Sequence, residues 1–191
     1  MWAQFSTCVA RIRRVLCWTI CKEIFKKYWS YAWKNPQNYK KRMADTVYVD
    51  VSAKIEDWAH DSVIAIANDQ ALALLIQANT KTAAARLVAD GDPVQFTLLA
   101  LFTCLAIRTY PGSAQRIVID QDYSGEAAAR IIRRKLTALL RREDPNFKGK
   151  RMNIKSVKGS QADRLARAAY KKRAPVNGEI TLADVISVMG K

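Results

Sequence analysis

Histidine is nearly missing from this chain: His60 stands alone among 191 residues, beside only four cysteines, Cys8, Cys17, Cys21 and Cys104. Structural zinc needs four such ligands at paired spacing. Cys17-x3-Cys21 has no second pair, so no zinc site is expected. Nor do the cysteines form the even ladder of a small secreted disulfide scaffold, which points to a reducing, cytoplasmic compartment. Long apolar runs are absent too. Val94 to Ile107 is the longest, at 14 residues with Gln95 near its start, whereas a bilayer span needs about 20. Charged residues interrupt every apolar stretch near the N-terminus, so no signal peptide is expected. Internal repeats and low-complexity tracts are lacking. The length suits one ordinary domain with a real core.

What is present in excess is positive charge, +15 overall. Such an excess implies an anionic partner, and nucleic acid is the densest anionic target. The charge comes in blocks. Residues 1–42 hold ten Lys/Arg and one acid, Glu23; residues 43–119 hold five against eight acids; residues 120–175 hold sixteen against six. The first block also carries four of the five Trp and no Gly or Asp. It reads as a basic, aromatic-rich extension, with Val15 to Trp33 able to form an amphipathic helix for a membrane surface or nucleic acid. Met43 opens a segment that looks like a natural protein start, so residues 1–42 are alternatively an over-long gene start. The division is therefore an extension, 1–42, and a folded domain, 43–191.

From Thr46 the pattern is orderly. Val47 to Val51 alternates with β-branched residues, and Ser62 to Ala67 and Ala71 to Gln77 read as two more strands of an antiparallel meander. His60 falls in the turn between the first two and is expected at the surface. Thr80 to Ala89 is helical. Asp92 is placed to cap a second, wholly apolar helix to Arg108, with Pro93 in its first turn. Arg116 to Ile119, apolar on both faces, reads as an interior parallel strand. A basic amphipathic helix to Arg142, a strand from Met152 to Val157, a helix from Ser160 to Lys172 and a last short helix from Thr181 follow. The expected fold is α/β: a mixed five-stranded sheet in the order β-β-β-α-β-α-β-α, with helices on its faces.

Three acids stand at telling places. Asp50 lies inside the first strand between Val49 and Val51, Asp120 ends the fourth, and Asp163 lies in the first turn of the helix after the fifth. A carboxylate in an apolar strand is costly unless it is paired or binds a cation. The first and fourth strands can be neighbours in such a sheet, which would set Asp50 beside Asp120 with Asp163 closing a third side. Converging carboxylates suit Mg²⁺ or Mn²⁺, and two such ions can hold and cleave a phosphodiester. Asp122 is a further candidate ligand. Arg133, Arg134, Arg141, Arg142, Lys148, Lys150, Arg151, Lys171 and Lys172 are candidate contacts to a nucleic-acid backbone. Plainer roles exist for each acid: Asp50 in a buried ion pair, Asp120 capping the turn before Ser124, and Asp163 as a negative charge at a helix start.

Tyr48-Val-Asp50-Val-Ser52, Ile117-Val-Ile-Asp120 and Ser160-Gln-Ala-Asp163-Arg-Leu-Ala166, in that order, resemble the ribonuclease H-like superfamily. Within it they are similar to a family of uncharacterised nucleases of mobile elements, over about residues 46–175. The resemblance implies a ribonuclease H-like fold, catalysis by Asp50, Asp120 and Asp163, a divalent metal and hydrolysis of DNA or RNA. Superfamily members place a Glu on the helix before the fourth strand, and Val94 to Arg108 has no acid. A catalytically inactive nucleic-acid-binding module on the same fold is the second expectation. A protein working through residues 1–42 at a membrane or partner is the third.

Overall fold

A computed structural model describes residues 46–88, 91–112 and 114–190. The chain divides between Met43 and Ala44, and the basic extension expected at residues 1–42 lies outside the described residues. Alternation builds β1 (Thr46–Ser52): Val47, Val49 and Val51 face one side, and Tyr48, Asp50 and Ser52 the other. β2 (Ser62–Ala67) is buried at every position, because it lies between two strands and under helices on both faces. It pairs antiparallel with β1 and with β3 (Ala71–Ile76). Two helices follow, α1 (Ala78–Leu87) and α2 (Val94–Thr109). α2 buries ten consecutive residues, Thr97 to Ala106, as its apolar circumference requires. β4 (Arg116–Ile119) is interior and parallel to both neighbours, β1 and β5 (Met152–Ile154), as its sequence led us to expect.

Between β4 and β5 runs α3 (Glu126–Arg141). Its Ile132, Leu136 and Leu140 recur every four residues and enter the core, while most of its arginines stay outside. α4 (Gln161–Tyr170) starts on an N-cap, Ser160, whose hydroxyl accepts from the Asp163 amide at 3.2 Å. α5 (Leu182–Met189) starts on a Thr181–Asp184 capping box.

The sheet has six strands in the order β5-β4-β1-β2-β3-β6, not the five expected. The extra one, β6 (Gly178–Glu179), pairs parallel with the outer edge of β3. Two residues cannot display a period of two, so Pro175 to Gly178 reads only as a turn in sequence. What fixes β6 is the open edge of β3. The Asn177 amide donates to Ala73 O (2.7 Å), its Oδ1 accepts from the Ala73 amide (2.8 Å), and the Ile180 amide donates to Leu75 O (2.8 Å). The helix cap expected from Asp92 is not made either. Its carboxylate accepts from Arg134 (2.6 Å) and pairs with Lys135 (3.0 Å), and Pro93 takes the cap position.

The crossovers decide which face each helix covers. The steps from β3 to β4 and from β4 to β5 run toward the β5 edge, whereas the step from β5 to β6 runs back across the sheet. Right-handed connections therefore put α1, α2 and α3 on one face and α4 on the other. The packing agrees. Val47, Val49, Val51, Ile64, Ile66, Ile117 and Ile119 join α2 and α3 in the main core, while Val63 and Ala73 pack with Ala169 and Leu165 of α4 in a small second core.

Candidate functional site

Asp50 and Asp120 lie side by side. Val49 is opposite Ile119 in the parallel ladder, and the Asp120 amide extends it by donating to Val49 O at 2.9 Å. Both residues fall on even positions, facing α4. The chain leaves β1 toward β2 and leaves β4 toward β5, so the two strands part at this point. In open α/β sheets the crevice beyond the carboxyl ends of two such strands is where ligands bind.

Asp50 is 7% exposed and, among the described residues, makes no ion pair. The buried ion pair considered for it is thus not found there. Its pKa is raised from 3.8 to about 6 by burial first, then by the charges of Asp120 and Asp163; Arg167 and the Val51 amide pull the other way. Asp122 is raised to about 7. The residue is exposed as a whole, but its carboxyl end is crowded against protein. That desolvation leads, followed by the charges of Asp120 and Asp50, a hydrogen bond with Asp120, and Glu56.

The other two acids are already engaged. Asp120 Oδ1 accepts from the Val157 amide at 2.6 Å, which fastens the loop between β5 and α4 rather than the turn before Ser124. Asp163 is 6% exposed; its Oδ2 accepts from the Gly159 amide at 2.7 Å and its Oδ1 pairs with Arg167 Nε at 2.6 Å. The structure thus brings Asp50, Asp120, Asp122 and Asp163 into one electrostatic neighbourhood. It does not aim them at one point: among the described residues no three His, Cys, Asp or Glu side chains are grouped to hold a metal ion. In charge and donor type the set fits a hard divalent cation. Asp50 and Asp122 have oxygens that no described cation pairs with, whereas Asp163 would have to release Arg167.

The basic candidates divide between the two faces. Arg133, Arg134, Arg141 and Arg142 belong to α3 or its end, on the far side of the sheet from Asp50. Three of them have structural partners: Arg134 with Asp92, Arg141 Nε with Phe147 O (3.0 Å) and Arg142 with Val188 O (2.8 Å). Arg133, Lys148 and Arg151 are exposed, and the Lys150 side chain lies outside what is described. Lys171 and Lys172 follow α4, on the acid face. His60 is exposed, as expected, with Nδ1 3.0 Å from Asp57 Oδ2.

Four residues of this corner were not singled out from sequence. Arg167 is one, although its spacing from Asp163 is the i, i+4 spacing of a helical ion pair. Glu56, in the loop after β1, accepts a short hydrogen bond from the Tyr123 hydroxyl. Tyr123 packs edge-on against Phe96 at 5.0 Å, and burial followed by that hydrogen bond pushes its phenol pKa up. Lys81 of α1 is fully buried, with Nζ donating to Asp57 O (2.6 Å) and Ser62 Oγ (2.8 Å). Burial lowers its pKa against the opposing charges of Asp57, Asp61 and Glu56. It pins the loop that carries Glu56. Cys104 is buried in α2 with its thiol pushed up to about 12, mainly by desolvation, and is unreactive by that measure.

Among the described residues no helix is long and apolar enough to cross a membrane. The chain matches no protein-family model, and no curated protein or solved structure is significantly similar to it.

Proposed function

We propose that this chain is a ribonuclease H-like, divalent-metal-dependent nuclease that hydrolyses phosphodiester bonds of DNA or RNA. One observation carries the reading: Asp50, a buried carboxylate that makes no ion pair among the described residues, lies beside Asp120 where β1 and β4 part. The strand order with β2 alone reversed supports the superfamily resemblance. Asp50, Asp120 and Asp122 would hold Mg²⁺ or Mn²⁺ by drawing together around it, and Asp163 would join them on releasing Arg167. The bound ion would polarise the phosphodiester and lower the pKa of an attacking water. The chain's own contribution is to keep the carboxylates in one neighbourhood, with Asp50 and Asp163 buried. β1 and β4 supply the spacing, the Val157 amide orients Asp120, and Arg167 offsets charge at Asp50. Lys171 and Lys172 are the basic candidates best placed for substrate.

The test is cleavage of labelled single- and double-stranded DNA and RNA with Mg²⁺ or Mn²⁺. Cleavage should disappear in Asp120→Asn, and equal cleavage by that variant would sink the enzyme reading. The second reading, a non-catalytic nucleic-acid-binding module, is favoured by one feature: neither α1 nor α2 carries an acid. It predicts salt-dependent binding and no cleavage with either metal.

A further inference from the structure

We infer that the cavity at the end of α4 holds a single unstacked base of a nucleic-acid strand, which would make single-stranded nucleic acid the preferred substrate class. The inference rests on the nucleic-acid reading above. The cavity is about 790 Å³, large enough for a nucleobase with its sugar. Its floor is Val63 and Leu75, on the same face of the sheet as Asp50. Val63 is opposite Ser52, two residues beyond Asp50, and Leu75 is opposite Val63, so the floor lies about 8–12 Å from Asp50, across and along the sheet. One strand of nucleic acid can reach both places.

Its chemistry suits a nucleotide. Tyr170, 39% exposed, offers an aromatic face, and Val176, 40% exposed, gives an apolar wall. Bases stack on such surfaces without regard to sequence, but only when they are not already stacked in a duplex. Lys172 and Arg173 border the cavity, and among the described residues neither side chain has an ion-pair partner. They are placed for the phosphate. His60 Nδ1 is taken by Asp57, which leaves Nε2 for a ligand.

Lys172 adds a separate argument. Its φ is +56°, the left-handed conformation that ends α4, and glycine is the residue that suits such a position. Its amide donates to Ala169 O at 2.9 Å, and the Arg173 and Ala174 amides both donate to Ala168 O. None of those bonds uses the lysine side chain. Glycine would suit the turn better, and the lysine instead places an ammonium at the edge of the cavity.

The test is fluorescence anisotropy of the full chain with a fluorescein-labelled oligothymidine and with a duplex of equal length. Two variants are compared, Tyr170→Leu and Lys172→Gly. Tyr170 is exposed, so Tyr170→Leu should keep the wild-type melting temperature, and Lys172→Gly, which relieves the turn, should keep or raise it. Tyr170→Leu should weaken single-strand binding about 5- to 100-fold and leave duplex binding unchanged. Lys172→Gly should lower the slope of log affinity against log salt by about 1. If the wild type binds the oligonucleotide and both variants bind it equally well, the cavity is not the base site, and the nucleic-acid reading stands. If the wild type binds neither probe at any salt concentration, that reading falls and this one with it. Equal competition by an acidic peptide such as oligoglutamate, mass for mass, would show general charge attraction and overturn the base site.

Discussion

Replacing Asp50 by asparagine should stabilise the protein while removing its proposed activity. In the folded state the Asp50 carboxyl titrates at about 6 against an ordinary 3.8. Between those values the folded chain holds a proton that the unfolded chain has released, so this group's contribution falls as pH rises through that window. Above about pH 6 the whole cost is present, about 3 kcal/mol at 1.36 kcal/mol per pH unit. Asparagine keeps the shape and loses the charge. At pH 7.5, Asp50→Asn should be more stable by about 3 kcal/mol, which for a domain of this size is a rise in Tm of about 6–12 °C. Near pH 5, where the wild type is largely protonated at this site, the gap should shrink to about half. Calorimetry or thermal circular dichroism on both proteins at the two pH values reads this directly. Mg²⁺ adds a second arm. A bound cation should stabilise the wild type, by about 2.7 kcal/mol at a hundredfold excess over Kd, and leave the variant unmoved. A variant that is less stable at pH 7.5, or a gap that does not change with pH, would refute the reasoning. It would mean that Asp50 is satisfied in the fold and is not held charged at a cost.

Asp122 should titrate near neutral in a carboxyl-carbon NMR titration, since its pKa is pushed up to about 7. Asp120→Asn should bring it down, because Asp120 is the largest charge acting on it; an unchanged midpoint would separate the two side chains. Lys81→Ala should destabilise the domain by about 2–5 kcal/mol, measured by urea unfolding, because Asp57 O and Ser62 Oγ lose their donor and a long side chain leaves a cavity. A loss under about 1 kcal/mol would mean that the loop after β1 is held by other contacts.

Much of the fold is legible residue by residue. β-Branched alternation in Val47 to Val51, the wholly apolar α2 and the Ser160 cap each announce an element, because each is a local pattern with a local cause. The side-by-side placement of Asp50 and Asp120 followed from reading β4 as interior and parallel. The failures are non-local. Asp92 looks like a cap and is drawn instead to Arg134 and Lys135, 42 residues or more along the chain. The basic face of α3 looks like a partner for the acids, yet the direction of each crossover puts it on the other side of the sheet. Lys81 sits in an Ala-rich helix like any surface lysine, and only the loop folded over it makes it buried. In the acid corner, identity was readable and engagement was not: no pattern in sequence says that Val157 will take an oxygen of Asp120.

The two-residue strand β6 has a consequence for how the chain comes to be folded. Asn177 closes on Ala73 from 104 residues away, and the segment from β5 through α4 to β6 spans the sheet from one edge to the other. Contacts of that range are entropically the slowest to form. During synthesis the first three strands emerge long before this strap exists, with the edge of β3 unpaired and Val63, Ala73 and Leu75 uncovered. An unpaired edge beside an apolar face is a template for association with other chains. Docking of the strap pairs the edge, covers the apolar face and encloses Asp50 together. The acid corner is thus complete only when the strap is in place, and it shares its integrity with the closed edge of β3.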